Sequence, residues 1–241
     1  MIRESRLFEL CDKNKITLGA GEAGRLCDFA DILYTENEKY NLTATTDEDG
    51  IILRHFIDSM TVLPYIEGER MLDVGSGAGF PAVPAAIMKP SLSVTPLDST
   101  GKRMNFVKAA AGSLGLSNVH PITARAEEAA HDSALRESFD TVVSRAVAKM
   151  SVLVEITIPF AKVGGVVIAM KGEEDVAAAE LDEAAGAISV LGAEVERIVP
   201  IELFGGCDGE ALHRTLIIMR KKKRTDGRFP RRYARILKER L

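Results

Sequence analysis

The sequence predicts an α/β fold: a mostly parallel sheet of seven strands with helices on both faces, preceded by a helical extension. Three observations carry this. The stretch Met71-Leu72-Asp73-Val74-Gly75-Ser76-Gly77-Ala78-Gly79-Phe80-Pro81 reads as a short buried strand, a glycine-rich turn and a helix start. From Arg70 onward, short β-branched and apolar runs alternate with helical patterns, as in parallel sheets covered on both faces. Near the end two strand patterns follow one another closely, which predicts an antiparallel edge.

Residues 1–50 read as the helical extension. Leu7, Leu10 and Cys11 share one face of a first helix, and Leu26, Phe29, Ala30, Leu33 and Asn37 follow helical spacing in a second. The segment Tyr40-Asn41-Leu42-Thr43-Ala44-Thr45-Thr46 is polar and turn-like, and Asp47 or Asp49 caps a helix over 51–65. That helix carries Arg54, His55, Asp58 and Ser59. Either Arg54 pairs with Asp58 one turn on, or these residues line a pocket.

The main domain is expected over 51–220. Its strands fall at 71–74, 92–97, 119–123, 141–144, 166–170, 195–203 and 215–219. Helices fall at 81–88, 102–114, 127–130, 149–160 and 174–191. Pro96 interrupts the second strand and must sit where its missing N–H is tolerated.

Ligands of such sheets bind beyond the carboxyl ends of the strands, so residues at those ends are the site candidates. Three alternate glycines leave the first turn open to a ligand, and the helix start beyond offers unpaired N–H groups. A dinucleotide fingerprint would place a third glycine where Phe80 stands, and Asp73 repels a pyrophosphate. An acid there suits a cationic ligand such as S-adenosylmethionine. Asp98 ends the second strand, 23 residues beyond Gly75, and either accepts bonds from ribose hydroxyls or caps the next helix. After the third strand, Ala124-Arg125-Ala126-Glu127-Glu128 either lets an adenine lie flat or starts a short capped helix. Arg145 ends the fourth strand in an apolar stretch, where burial demands a partner.

Composition narrows the class. Of the 241 residues 46% are hydrophobic, enough for a core. Cys11, Cys27 and Cys207 are scattered, so neither a zinc site nor a disulfide framework is expected, and the expected compartment is a reducing cytoplasm. No signal-peptide or membrane-spanning pattern is visible, and no metal site is expected. The net charge is −4, but it is divided unevenly. From Arg220 to Leu241 there are 11 basic and 2 acidic residues, a net of +9; the rest of the chain holds 20 basic and 33 acidic, a net of −13. A basic tail over 221–241 on an acidic body points to a polyanionic partner. Lys221, Lys222, Lys223, Arg224, Arg231 and Arg232 are its candidate RNA contacts, and the tail is expected to contribute little to cofactor binding.

Taken together, Tyr40-Asn41-Leu42-Thr43, Arg54-His55-x-x-Asp58-Ser59, the glycine loop, Leu97-Asp98-Ser99-x-Gly101-Lys102-Arg103, Arg125-Ala126-Glu127 and Ser144-Arg145-Ala146 resemble the bacterial 16S ribosomal RNA guanine-N7 methyltransferases. The resemblance runs from about residue 37 to Arg232. It implies a Rossmann-like class I methyltransferase fold, S-adenosylmethionine as cofactor, and 16S rRNA or the small-subunit particle as substrate. A monomer is expected. The resemblance also implies that Gly75, Phe80, Ala126, Glu127 and Arg145 contact the cofactor, beside Asp73, Gly77 and Asp98 from the reading above. Phe80 stands where a leucine is commoner. The tail keeps Phe229-Pro230-Arg231-Arg232 but continues as Tyr233 to Leu241 in place of a Pro- and Lys-rich end.

Guanine N7 carries a free lone pair, so such a reaction needs no general base, and Arg145 would orient the cofactor or the base. No amino-methylation motif follows the fourth strand, and no cysteine stands at a strand end. A small-molecule methyltransferase of the same fold and a non-catalytic RNA-binding protein are the alternative readings.

Overall fold

The computed structural model describes residues 2–205, 211–239 and 241; Cys207 lies outside them. The seven strands are β1 (Arg70–Val74), β2 (Ser93–Asp98), β3 (Ile122–Thr123), β4 (Phe139–Arg145), β5 (Ala161–Lys171), β6 (Ala193–Leu203) and β7 (Leu212–Lys221). They form one sheet in the order β3-β2-β1-β4-β5-β7-β6. β1 to β5 run parallel, and β7 is antiparallel to both β5 and β6. The strand order reverses between β1 and β4, where the glycine loop leaves the sheet.

The helices are α1 (Glu4–Lys13), α2 (Ala20–Tyr40), α3 (Glu48–Gly50), α4 (Asp58–Met60), α5 (Ala82–Met88), α6 (Gly101–Ser113), α7 (Ala126–Ala129), α8 (Met150–Thr157), α9 (Glu174–Val190) and α10 (Tyr233–Lys238). Between α3 and α4 the helix is a π-helix over Ile51–Ile57. Asp47 caps this composite helix, its Oδ1 accepting the Gly50 N–H at 2.7 Å.

Alternation along the strands divides the core between the two sheet faces. Met71, Val143 and Ile168 face a cluster that includes Leu26 and Phe29 of α2, Val83 of α5 and Val107 of α6. Leu72, Val74, Val142 and Val167 face the cluster holding Leu153 of α8 and Ala184 of α9. The N-terminal helices thus share their core with the sheet. Arg6 ties α1 to the composite helix through Asp49 at 2.7 Å.

Three local features depart from the expected pattern. β3 shrinks to two residues, with Val119 making a separate bridge to Val94. The interruption explains Pro96: by parity with Val94 and Asp98, whose groups bond toward the third strand, its absent N–H would point at the gap in that ladder. The last expected strand extends to Lys221, whose side chain keeps the inward parity of Ile217 and Met219. Finally, the helix expected over 51–65 begins at Glu48 and ends at Met60. The tail packs on the domain, with Phe229 and Ile236 buried.

Candidate active site

The carboxyl ends of β1, β2 and β3 open on a cavity of about 340 Å³, within the range of small-ligand sites. Gly75, Asp98, Ala126 and Glu127 all line it. Gly75 has φ +75°, and a Cβ there would overlap the Val147 side chain. Gly77 has φ +58° with open space where a Cβ would stand. Its N–H donates to Asp98 Oδ2 at 3.1 Å, while Asp98 Oδ1 accepts from Thr100 N at 2.8 Å just ahead of α6. Asp98 therefore braces the glycine turn and the next helix at once, and its carboxylate stays at the cavity wall. The segment after β3 both starts the short α7 and lines the cavity.

Asp73 is wholly buried beneath the loop. Its Oδ2 accepts the Ala82 N–H at 3.2 Å, and burial pushes its carboxyl up to about 6. Among the described residues, Asp73 Oδ1 and the Ser76 hydroxyl lack a hydrogen-bond partner of good geometry. The Ser76 hydroxyl still acts on the Asp73 carboxyl and draws it down against the effect of burial. A polar pair without a well-formed bond, under a half-buried glycine turn, fits a ligand that brings its own polar or cationic atoms. With the bare backbone at Gly77 and an acid at the β2 end, the residues fit S-adenosylmethionine.

Of the eight expected cofactor residues, Asp73, Gly77, Phe80 and Arg145 do not line this cavity. The Phe80 ring is buried and tilts against Phe29, with 5.4 Å between centroids. It packs in the aromatic core, toward α2. Its other face carries the His55 imidazole, 4.6 Å away and 16° from parallel, and the Arg145 guanidinium lies 5.4 Å from its centroid.

Arg145 lines a second cavity of about 430 Å³ with Arg54, His55, Asp58, Met170 and Arg214. Ala146, at φ +54°, lines both cavities. Arg145 donates to Asp58 Oδ2 and to the Arg54 carbonyl, each at 2.8 Å, and Arg214 donates to Asp58 Oδ1 at 3.1 Å. Asp58 thus pairs with two guanidiniums from distant strands and not with Arg54. Burial, and then the Arg145 charge, pushes His55 down to about 4, so it is neutral at pH 7. Its Nε2 meets the Thr43 hydroxyl at 2.7 Å, which ties the polar 40–46 turn to this cavity. The π-helix delivers Arg54 and His55, a form enriched at functional sites.

Two of the six expected tail contacts are corrected. Lys221 has no exposed surface: its ammonium donates to the Ile158 carbonyl at 3.0 Å and to Thr225 Oγ1, and stands 3.5 Å from Glu137. Burial pushes it down to about 8. Arg231 is held by the wholly buried Glu155, with Nη2 to Oε2 at 2.7 Å. Its backbone N–H donates to the same carboxylate at 2.7 Å. Lys222, Lys223, Arg224 and Arg232 remain exposed. Sequence reasoning also missed Arg214 and Tyr233; nothing in their local pattern signals a site.

Among the described residues no cluster of three or more side chains could hold a metal, and no helix is long and apolar enough to cross a membrane.

The protein-family model described as rRNA small subunit methyltransferase G matches residues 23–203. A ribosomal RNA small subunit methyltransferase G of Desulfitobacterium hafniense is 41% identical over 217 residues, covering 90% of this chain and 88% of its own. One of Deinococcus radiodurans is 44% identical over 204 residues, covering 83% and 78%. Solved structures support the fold. M. jannaschii TYW2 in complex with AdoMet superposes with TM-score 0.53 at 18% identity, over 69% of this chain and 76% of that one. A precorrin-6y C5,15-methyltransferase from Geobacter metallireducens does so with TM-score 0.50 at 17% identity, over 76% and 92%. The chain belongs to the rRNA small subunit methyltransferase G family.

Proposed function

We propose that the chain methylates N7 of a guanine in 16S rRNA, with S-adenosylmethionine in the first cavity and the guanine in the second. The observation that carries this is the adjacency of the two cavities across Ala146. Family membership supports the RNA substrate.

The bound cofactor supplies an electrophilic methyl group on a sulfonium. Gly75 and Gly77 hold its amino-acid end by backbone, above the Asp73 carboxylate; Asp98 takes the ribose, and Ala126 and Glu127 the adenine. In the second cavity Arg145 and Arg214, both fixed by Asp58, offer N–H donors to the guanine oxygen while N7 faces the shared wall. Guanine N7 has no proton to lose, so the chain contributes position and not a base. Neutral His55 is consistent with that role: its Nε2 is committed to Thr43 and its ring to Phe80. Methylation leaves positive charge on the guanine, and Asp58 is the carboxylate of that cavity. Lys222, Lys223, Arg224 and Arg232 contact phosphates at the tail.

The test is transfer of labelled methyl to 16S rRNA and to assembled small subunits, followed by nucleoside analysis. Label in N7-methylguanosine is expected; label in any other nucleoside rejects the base assignment. Gly77→Val places a branched side chain at a positive φ facing the cofactor and should abolish S-adenosylhomocysteine binding by calorimetry.

A further inference from the structure

The C-terminal strap carries an aromatic ring to the cofactor cavity. After β7 the chain crosses the sheet end under several anchors. Arg136 donates to the carbonyls of Thr225 at 2.9 Å and Phe229 at 2.8 Å, and His131 Nε2 lies 2.9 Å from the Pro230 carbonyl. Arg231 then closes on buried Glu155 of α8. Two residues later Tyr233 opens α10, and Ile236, 2% exposed, packs with Val152 and Ile156 of α8.

Held this way, Tyr233 is half-buried against that small cluster together with Ala126 and Val147. It lines the first cavity beside Ala126, Glu127 and Ile156. These residues surround the cavity's β3 side, beyond Asp98. An aromatic ring there offers a flat apolar face to a flat heteroaromatic group, and such stacking contributes about 1–3 kcal/mol between rings and bases.

We propose that Tyr233 is a cofactor-binding residue whose ring packs against the adenine, and that the Arg231–Glu155 clamp positions it. This rests on the cofactor assignment made above. It reverses the expectation that the tail contributes little to cofactor binding: the strap is part of the cavity wall.

The test measures S-adenosylhomocysteine and adenosine binding by calorimetry to the full chain and to Tyr233→Ala and Tyr233→Phe. Tyr233→Ala should weaken both ligands about tenfold and by the same factor, since both carry the adenine. Tyr233→Phe should stay within about twofold of the wild type, because the ring and not the hydroxyl makes the contact. Equal affinity of wild type and a folded Tyr233→Ala, judged by an unchanged melting midpoint, overturns the inference while the cofactor assignment stands. A wild type that binds neither ligand overturns both. Should Tyr233→Ala fail to fold, nitration of the wild type by tetranitromethane gives the answer. Saturating S-adenosylhomocysteine should protect Tyr233, read by mass spectrometry, and undiminished nitration overturns the proposal.

Discussion

The imidazole of His55 lies flat on the ring of Phe80, with centroids 4.6 Å apart and planes 16° from parallel. Burial of the ring, and then the Arg145 charge, keeps His55 neutral down to about pH 4. An unfolded histidine titrates near about 6.5. Between those values the unfolded chain binds a proton that the folded chain refuses, so His55 makes stability fall as pH drops from about 6.5 to 4. Asp73 acts oppositely: raised to about 6, it holds a proton in the fold and makes stability fall as pH rises from about 4 to 6. Chemical denaturation across this window should show His55→Gln flattening the acid loss and Asp73→Asn steepening it. Unchanged profiles would contradict the burial argument.

Cofactor binding should itself move a proton at Asp73. A cation placed near its Oδ1 favours the carboxylate, so binding at pH 6, where the carboxyl is about half protonated, should release up to about half a proton. Calorimetry in two buffers of different ionisation enthalpy measures this. The release should vanish by pH 8 and be absent from Asp73→Asn.

Asp58 fixes two arginines, so its loss should damage chemistry more than cofactor binding. Asp58→Asn removes the charge that holds Arg145 and Arg214. Misplacement of about 1 Å can cost about 10²-fold in rate, and a loss of that order in RNA methylation is expected. S-adenosylhomocysteine affinity should change by less than about threefold. An equal fall in both would place Asp58 in the cofactor site.

The basic tail divides by burial. Changing Lys222, Lys223 and Arg224 to Gln should flatten the slope of log RNA affinity against log salt, by about 0.7 to 0.9 for each phosphate no longer neutralised. Lys221→Gln should leave that slope alone and lower the melting midpoint, because Glu137 is then deprived of a buried cation. A slope change in Lys221→Gln with intact stability would return that residue to the RNA surface.

What is legible in the sequence is local. The glycine turn, the alternation of strands and helices and the facing positions of α1 and α2 are set by neighbours a few residues apart and appear in the expected order. Asp47, one of two expected caps, serves a helix that begins at Glu48, ahead of the expected start. Arg145 is legible as an arginine needing a partner, but the partner is not: Asp58 is 87 residues away from it, and 156 from Arg214, the other guanidinium it holds. The π-helix is invisible because seven residues do not separate its period from that of an α-helix. Lys221 misleads because a charge run suggests solvent, whereas strand parity continues through the first lysine and turns it inward. Tyr233 lacks any local signal; its place depends on the Arg136 and Glu155 anchors, which are set by the tertiary fold.

Ala146 lines both cavities, and its side chain is a single methyl group. On the proposed assignment, the methyl group is transferred past this residue. The backbone at φ +54° also resists any β-branched replacement. Donor and acceptor can therefore approach to bonding distance only if nothing at this position grows. So short a side chain also leaves the donor open to whatever occupies the neighbouring compartment. Fidelity then depends on occupancy: a guanine that fills the arginine-lined side keeps out competing nucleophiles, water among them, and an empty side offers no barrier of its own.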